Sequence, residues 1–257
     1  MQAQRFELKY LISEDTALLV RDFVRSYIDF DEYSVGKPNY SYPVHSLYCD
    51  SDDLKTYWAT INGDKNRYKL RLRFYSTSAD SPVFFEVKKR VNNCIMKQRG
   101  GVRQDAVRAL LTGQFPEMEH LLSKNPKQLV AVQRFCELYA GIHAHPKVHI
   151  FYMREAYVSD DDKVRVTIDR KVYGEANLSP AIKTHMDRPA LSFQPHVILE
   201  LKYTDRFPHW FGELVRIFGV MQCGAAKYCE SVQGVGFAAL GAVGPVYNES
   251  GGLPRPR

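Results

Sequence analysis

Charged and apolar residues alternate through residues 68–97. The run Tyr68-Lys69-Leu70-Arg71-Leu72-Arg73-Phe74-Tyr75 has the period of a strand, whose successive side chains point to opposite faces. Lys69, Arg71 and Arg73 therefore share one face, and Leu70, Leu72 and Phe74 the other. A Ser/Thr/Asp/Pro cluster at 76–82 breaks the run. The next strand, Phe84-Phe85-Glu86-Val87-Lys88-Lys89-Arg90, puts Glu86, Lys88 and Arg90 on one face. After Asn92-Asn93 a third run, Cys94-Ile95-Met96-Lys97-Gln98-Arg99, holds Lys97 and Arg99 in phase.

The same alphabet recurs before and after this block. Residues 6–12 read as a strand with Arg5, Glu7 and Lys9 in phase. Ser13 caps a helix over about 14–27, with Glu14 and Asp15 in its first turn and Leu18, Leu19, Phe23 and Val24 as its buried side. Residues 29–42 form a polar, Tyr-rich loop, and 44–48 a short strand. Ser51-Asp52-Asp53 starts a second helix that Asn62-Gly63 stops. Gly100-Gly101 ends the sheet segment, 104–111 is a short helix, and Pro126 opens a longer one to about Tyr139. Strands follow at 147–157 and 163–170, joined by a hairpin turn at Asp160-Asp161-Asp162. The second of them carries Lys163, Arg165, Thr167 and Asp169 on one face. A loop over 174–194, a strand over 196–203 with Glu200 and Lys202 in phase, and an amphipathic helix over 210–218 complete the order. The tail from Gly241 is expected to be disordered, leaving one domain over 1–240. Antiparallel strands with helices between them exclude alternating βαβ units, and neither a Gly-rich phosphate loop nor a Gly-x-Ser-x-Gly elbow occurs.

Composition narrows the chemistry. The 257 residues are 45% hydrophobic and 12% aromatic, enough for a sizeable core. The formal net charge of +6 calls for an anionic partner without choosing among nucleic acid, a phosphorylated small molecule and a membrane surface. Five scattered cysteines with no Cys-x-x-Cys read as reduced thiols in a cytoplasmic protein. The polar N-terminus has no signal-peptide core, and no run of about 18 apolar residues could span a membrane. His45, His149 and His196 lie far apart in the chain and read as ordinary strand residues.

Glu-x-Lys recurs in three strands, as Glu7/Lys9, Glu86/Lys88 and Glu200/Lys202. Arg71/Arg73, Arg154 and Arg165 add single-face cations. A lone charged strand is usually the wet side of a one-faced sheet. Six such strands suggest instead a barrel whose charged face turns inward, with helices covering the apolar outside. Converging Lys and Arg repel and lose hydration. A chain of phosphates relieves both penalties, and in-phase carboxylates can hold Mg²⁺ or Mn²⁺ against the same oxygens. RNA fits less well, because the aromatics interleaved with the cations fall mostly on the opposite strand face. No nucleic-acid partner is therefore expected.

Several motifs, in order, resemble the VTC (vacuolar transporter chaperone) polyphosphate polymerase domain of the triphosphate tunnel metalloenzymes. They are the 69–75 run, Phe85-Glu86-Val87-Lys88, Lys97, Tyr152-Met153-Arg154, Val164-Arg165-Val166-Thr167-Ile168-Asp169, Leu199-Glu200-Leu201-Lys202 and Ala226-Lys227-Tyr228. The resemblance covers residues 5 to about 232. It implies an α+β fold, an antiparallel eight-stranded β-barrel forming a tunnel, with peripheral α-helices. It implies that Lys9, Arg71, Arg73, Lys88, Lys97, Arg154, Arg165, Lys202 and Lys227 bind phosphates and serve catalysis. Glu200, with Glu86, would hold a divalent metal, Mn²⁺ or Mg²⁺.

The implied reaction passes the γ-phosphate of ATP to inorganic polyphosphate and releases ADP; triphosphate and pyrophosphate are further implied ligands. The alternatives are an inorganic or nucleoside triphosphatase in the same tunnel, and a non-catalytic polyanion-binding module. Where the hydrolytic branch carries Glu-x-Glu-x-Lys, this chain reads Arg5-Phe6-Glu7-Leu8-Lys9, which favours the polymerase branch. The competing reading of Glu200 is a salt bridge to Lys202 or Arg165, and that of Glu86 a partner for Lys88. Glu7 is expected to pair with Lys9 or Arg5, Asp169 to be a supporting group or a strand-end cap, and Arg90 and Arg99 to face solvent.

Overall fold

A computed structural model describes residues 5–92 and 94–242. The strands are β1 (Arg5–Ile12), β2 (Asp29–Phe30), β3 (Ser41–Asp50), β4 (Asn66–Phe74), β5 (Val83–Val91), β6 (Cys94–Val102), β7 (His145–Val158), β8 (Val164–Ala176), β9 (Ala190–Ser192) and β10 (Val197–Thr204). The helices are α1 (Glu14–Arg25), α2 (Lys55–Ile61), α3 (Val107–Leu111), α4 (Pro126–Gly141), α5 (His209–Ile217) and α6 (Lys227–Val235).

All strand pairings are antiparallel, and they run β7-β3-β4-β5-β6-β1-β10-β8. A long β7–β8 ladder, from Val148↔Ala176 to Val158↔Arg165, joins the two ends into a ring of eight strands. Between β6 and β1 the described residues show the pair Arg5↔Ile95. The short β2 and β9 flank the ring on β7 and β8. They lie within two stretches that read as loop from the sequence, because a strand of two or three residues leaves no periodicity to detect.

The alternation decides which face is which. Leu70, Leu72, Phe74, Phe85 and Val87 point outward and pack beneath Val132 and Phe135 of α4. Tyr10, Leu199, Leu201, Val166 and Ile168 do the same beneath α1 and α5. The residues in phase with the charges point inward. At one end of the ring Val148, Ile150 and Ile198 pack with Tyr228, Cys229 and Val232 of α6. Gly174 on β8 admits that helix: a Cβ there would lie 2.7 Å from Ser231 Cβ.

Ser13 caps α1 as expected, accepting from Thr16 N at 3.1 Å. The buried stripe of α1 is Ala17, Val20 and Val24, however, and Leu18 and Leu19 are exposed. Ala17, not a leucine, sets the phase, since a small residue lets the helix approach the sheet. His45 and His149 are also not independent. They lie on adjacent strands, Nδ1 to Nε2 3.1 Å apart on the outer face, and burial lowers the His45 ring to about 4 and the His149 ring to about 3. All five cysteines are free thiols. The tail expected to be disordered lies, from residue 243, outside the described residues. No described helix is long and apolar enough to cross a membrane.

Candidate functional site

Register turns the separate charged strands into rows. Lys69 of β4 lies opposite Lys88 of β5, which lies opposite Lys97 of β6. One step along, Arg71, Glu86 and Arg99 form a row. Across the ring, Lys9 faces Glu200, which faces Thr167, and Glu7 faces Lys202, which faces Arg165. Three lysines side by side in one row are a like-charge arrangement that costs stability in an empty sheet.

The carboxylates divide these cations into two clusters. Glu86, fully buried, receives Arg71 at 2.6 Å and Lys97 at 2.5 Å, with Arg99 at 3.9 Å. Burial alone would raise the Glu86 carboxyl; the field of Arg71, Arg73 and Lys97 outweighs it and holds the group well below the carboxylate range. Glu200 is the hub of the second cluster. Lys202 lies at 2.6 Å, Lys227 at 3.1 Å, Lys9 at 3.2 Å and Arg154 at 3.5 Å, and Thr167 Oγ1 donates at 3.2 Å. Its ionised form likewise prevails over burial, through Lys202, Lys227, Lys9 and Arg154. Asp169 takes both ends of the Arg154 fork at 2.7 Å and Lys227 at 2.7 Å. It is therefore a charged partner within the bore and not a strand-end cap. Glu7 pairs with Lys88 at 2.7 Å and approaches Lys202 at 3.8 Å. The expected partner Lys9 turns instead to Glu200 and to the carbonyl of Ala225.

Among the described residues two inward cations contact no carboxylate. Arg73, buried, donates to Tyr152 Oη at 2.9 Å and to Ser46 Oγ at 3.5 Å, and its Nε has no partner. Lys69 reaches Cys229 Sγ at 3.8 Å and the Tyr228 ring face, and burial lowers its pKa. Burial also brings Lys97 down to about 7 and Lys202 down to about 8, against the pull of Glu86 and Glu200. Arg165 is held by Asp31, from the loop after β2. Arg99 is exposed, as expected, and its guanidinium carbon lies over Phe84, 3.9 Å from the ring centre, while Arg90 is half-buried and donates to the Asn92 carbonyl.

Six of the nine sequence-predicted phosphate ligands thus meet around the two clusters, while Lys88 is held by Glu7, Arg73 by Tyr152 and Arg165 by Asp31. Two tyrosines outside that set touch its arginines. Tyr48 accepts from Arg71 at 3.0 Å and Tyr152 accepts from Arg73. Burial would raise the Tyr48 phenol, but Arg71, Lys69 and Arg73 lower it to about 8. Both sit at inward positions of β3 and β7 and looked like core aromatics. The signal available in sequence was their phase, two residues from Ser46 and from Arg154.

The metal expectation can be tested on the donor set. Among the described residues no group of three His, Cys, Asp or Glu side chains could hold an ion. Glu86 and Glu200 lie in different clusters, so they do not form one carboxylate pair. Both oxygens of Glu200 already face ammonium groups. Such a donor set fits a hard divalent ion bound through one carboxylate, with phosphate oxygens and water completing its sphere, and not a resident all-protein cage.

A ring of strands whose bore is lined by cations, with carboxylates too few to neutralise them, defines a protein that receives a polyanion. The chain belongs to the VTC domain family, whose profile matches residues 4–235. Membership supports phosphoryl transfer or triphosphate binding, with dependence on a divalent metal. The chain is similar in structure to a provisionally assigned adenylate cyclase from Vibrio parahaemolyticus, at 11% identity and a TM-score of 0.45, over 91% of this chain and 99% of the other. It is also similar to a conserved hypothetical protein from Pyrococcus furiosus, at 11% identity and a TM-score of 0.40, over 84% and 91% of the two chains. No curated protein matches the sequence.

Proposed function

We propose that this protein is a polyphosphate polymerase that transfers the γ-phosphate of ATP to a growing polyphosphate chain and releases ADP. The observation that carries the reading is the excess of cations over carboxylates in the bore: Lys69 and Arg73 contact no carboxylate among the described residues, while Lys88 and Lys97 share Glu7 and Glu86 with Lys202, Arg71 and Arg99. This arrangement is costly until an extended chain of phosphates lies along it.

Arg71, Arg73, Lys88, Lys97, Lys9, Lys202, Lys227 and Arg154 bind phosphate oxygens, and Arg165 does so beside Asp31. Glu86 orients Arg71 and Lys97. Glu200 would hold the Mn²⁺ or Mg²⁺ ion, which would offset charge on the transferring group. In the transfer a terminal oxygen of the chain forms a bond to the γ-phosphorus. The bond from that phosphorus to the β–γ bridging oxygen breaks, and its electron pair leaves with ADP. Neither step needs a side-chain nucleophile, which agrees with a bore that offers positioned charge instead.

The test is incubation with ATP, Mn²⁺ and trace pyrophosphate as primer, with polyphosphate run on a gel and ADP assayed in parallel. A ladder matched by ADP is the expected result. Free phosphate without chains would replace polymerisation with hydrolysis in the same tunnel. Triphosphate binding with no turnover would leave a polyanion-binding module.

A further inference from the structure

The charged bore ends in aromatic residues at one mouth. On β3 the inward series Tyr48, Ser46, Val44 runs out to Tyr42; on β4 the series Lys69, Arg71, Arg73 continues into Tyr75; on β5 the residue outward of Glu86 and Lys88 is Phe84. The rings are neighbours: Tyr42–Tyr75 at 6.3 Å and Tyr75–Phe84 at 6.4 Å between centroids, with Tyr33 of the loop after β2 at 6.0 Å from Tyr42. The Arg99 guanidinium carbon lies over the Phe84 ring. Tyr33 is 62% and Tyr75 36% exposed, so ring surface faces solvent. Two members of this collar, half-buried Phe84 and buried Tyr42, lie beside a bore arginine in the ladder. Phe84 is the register partner of Arg73, and Tyr42 that of Arg154.

Exposed ring faces around a cation-lined hole match one class of ligand, a planar heteroaromatic group attached to a polyphosphate. We propose that Tyr33, Tyr75 and the Arg99–Phe84 stack form a platform for the base of a nucleoside triphosphate, whose phosphates enter the bore toward Arg73 and Arg154. Stacking on tyrosine and on a guanidinium plane is tolerant of base identity, since every base has a π-face. The platform therefore selects nucleotides over inorganic chains without strongly selecting among bases. The inference rests on the bore being a phosphate site.

The test compares ATP with inorganic triphosphate by titration calorimetry without metal, in wild type, Tyr75→Ala, Tyr75→Phe and Tyr33→Ala. Tyr33 is largely exposed on a loop, so its variant keeps the fold if Tyr75→Ala does not. Loss of one stacking contact should weaken ATP by about tenfold while leaving triphosphate unchanged, and Tyr75→Phe should bind ATP as wild type does. Equal weakening of both ligands, or of neither, would overturn the platform while the tunnel stood. A Tyr75→Phe variant as weak as Tyr75→Ala would also overturn it, by moving the effect to the hydroxyl. Wild type that bound no triphosphate would remove the tunnel reading itself, and the platform with it.

Discussion

Arg73 of β4 and Tyr152 of β7 meet over the intervening strand β3, guanidinium to phenol at 2.9 Å, and no carboxylate shares the contact among the described residues. A neutral hydroxyl fixes the direction of the guanidinium without cancelling its charge. Full burial of a cation under these terms costs stability that only an anion recovers. Arg73→Ala should therefore leave the ligand-free melting temperature unchanged or higher, and should shrink the upward shift caused by triphosphate. Loss of one charge-assisted contact, about 1.5–3 kcal/mol, corresponds to at least tenfold weaker binding. Thermal melts with and without triphosphate read both numbers, and a full ligand shift in the variant would take Arg73 out of the binding surface.

Glu200 organises four cations, so its removal has two separable consequences. Glu200→Gln keeps the shape but leaves Lys9, Lys202, Lys227 and Arg154 facing one another. The ligand-free fold should lose about 3–5 kcal/mol, as when one partner of a buried pair is removed. Triphosphate should restore much of that loss, because it supplies the missing negative charge. Metal-dependent turnover should be abolished. Denaturant titrations with and without triphosphate, beside a turnover assay, check both halves; turnover at the wild-type rate would deny Glu200 a role with the ion.

Titration of the bore should be visible in binding. Lys97 and Lys202 lose their protons at about 7 and about 8, whereas an unfolded lysine holds its proton to about 10.4. Above the lowered values the unfolded chain binds more protons than the fold. These two groups therefore make ligand-free stability rise with pH through about 7 and 8 and on toward the unfolded value. Nucleotide affinity runs the other way. ATP has shed its last phosphate proton by about pH 7, so above that pH the lost charge is the protein's. At pH 8 metal-free ATP should bind with net proton uptake, read by calorimetry in two buffers of different ionisation heat. Proton release, or none, would place both ammonium groups in their ordinary range.

The charged faces were legible because a strand shows each face at every second residue, and Lys69, Arg71 and Arg73 announce theirs unaided. Partnership was not legible, since it depends on register between strands far apart in the chain. Glu7 of β1 meets Lys88 of β5 over the intervening β6, and Arg73 meets Tyr152 from a residue 79 positions away. Aromatics on the inward face, Tyr42, Tyr48, Tyr75 and Tyr152, carry no charge to mark them and read as packing. In α1 the leucines suggested a stripe that the small Ala17 displaced.

Position of Lys227 depends on how closely α6 approaches β8, and Gly174 sets that approach. A Cβ at Gly174 would lie 2.7 Å from Ser231 Cβ and 3.0 Å from its hydroxyl, with the α6 backbone just behind. Ser231 is buried and cannot swing out, so the helix has to shift. Overpacking of this kind costs about 1–3 kcal/mol. Gly174→Ala should lower stability by that amount. It should also draw Lys227 away from Glu200 and Asp169, now 3.1 and 2.7 Å distant, and reduce triphosphate affinity several-fold. Gly174→Ala combined with Ser231→Gly makes room for the added methyl and should recover binding. A single variant with wild-type affinity and stability would show that α6 does not depend on this contact for its seat.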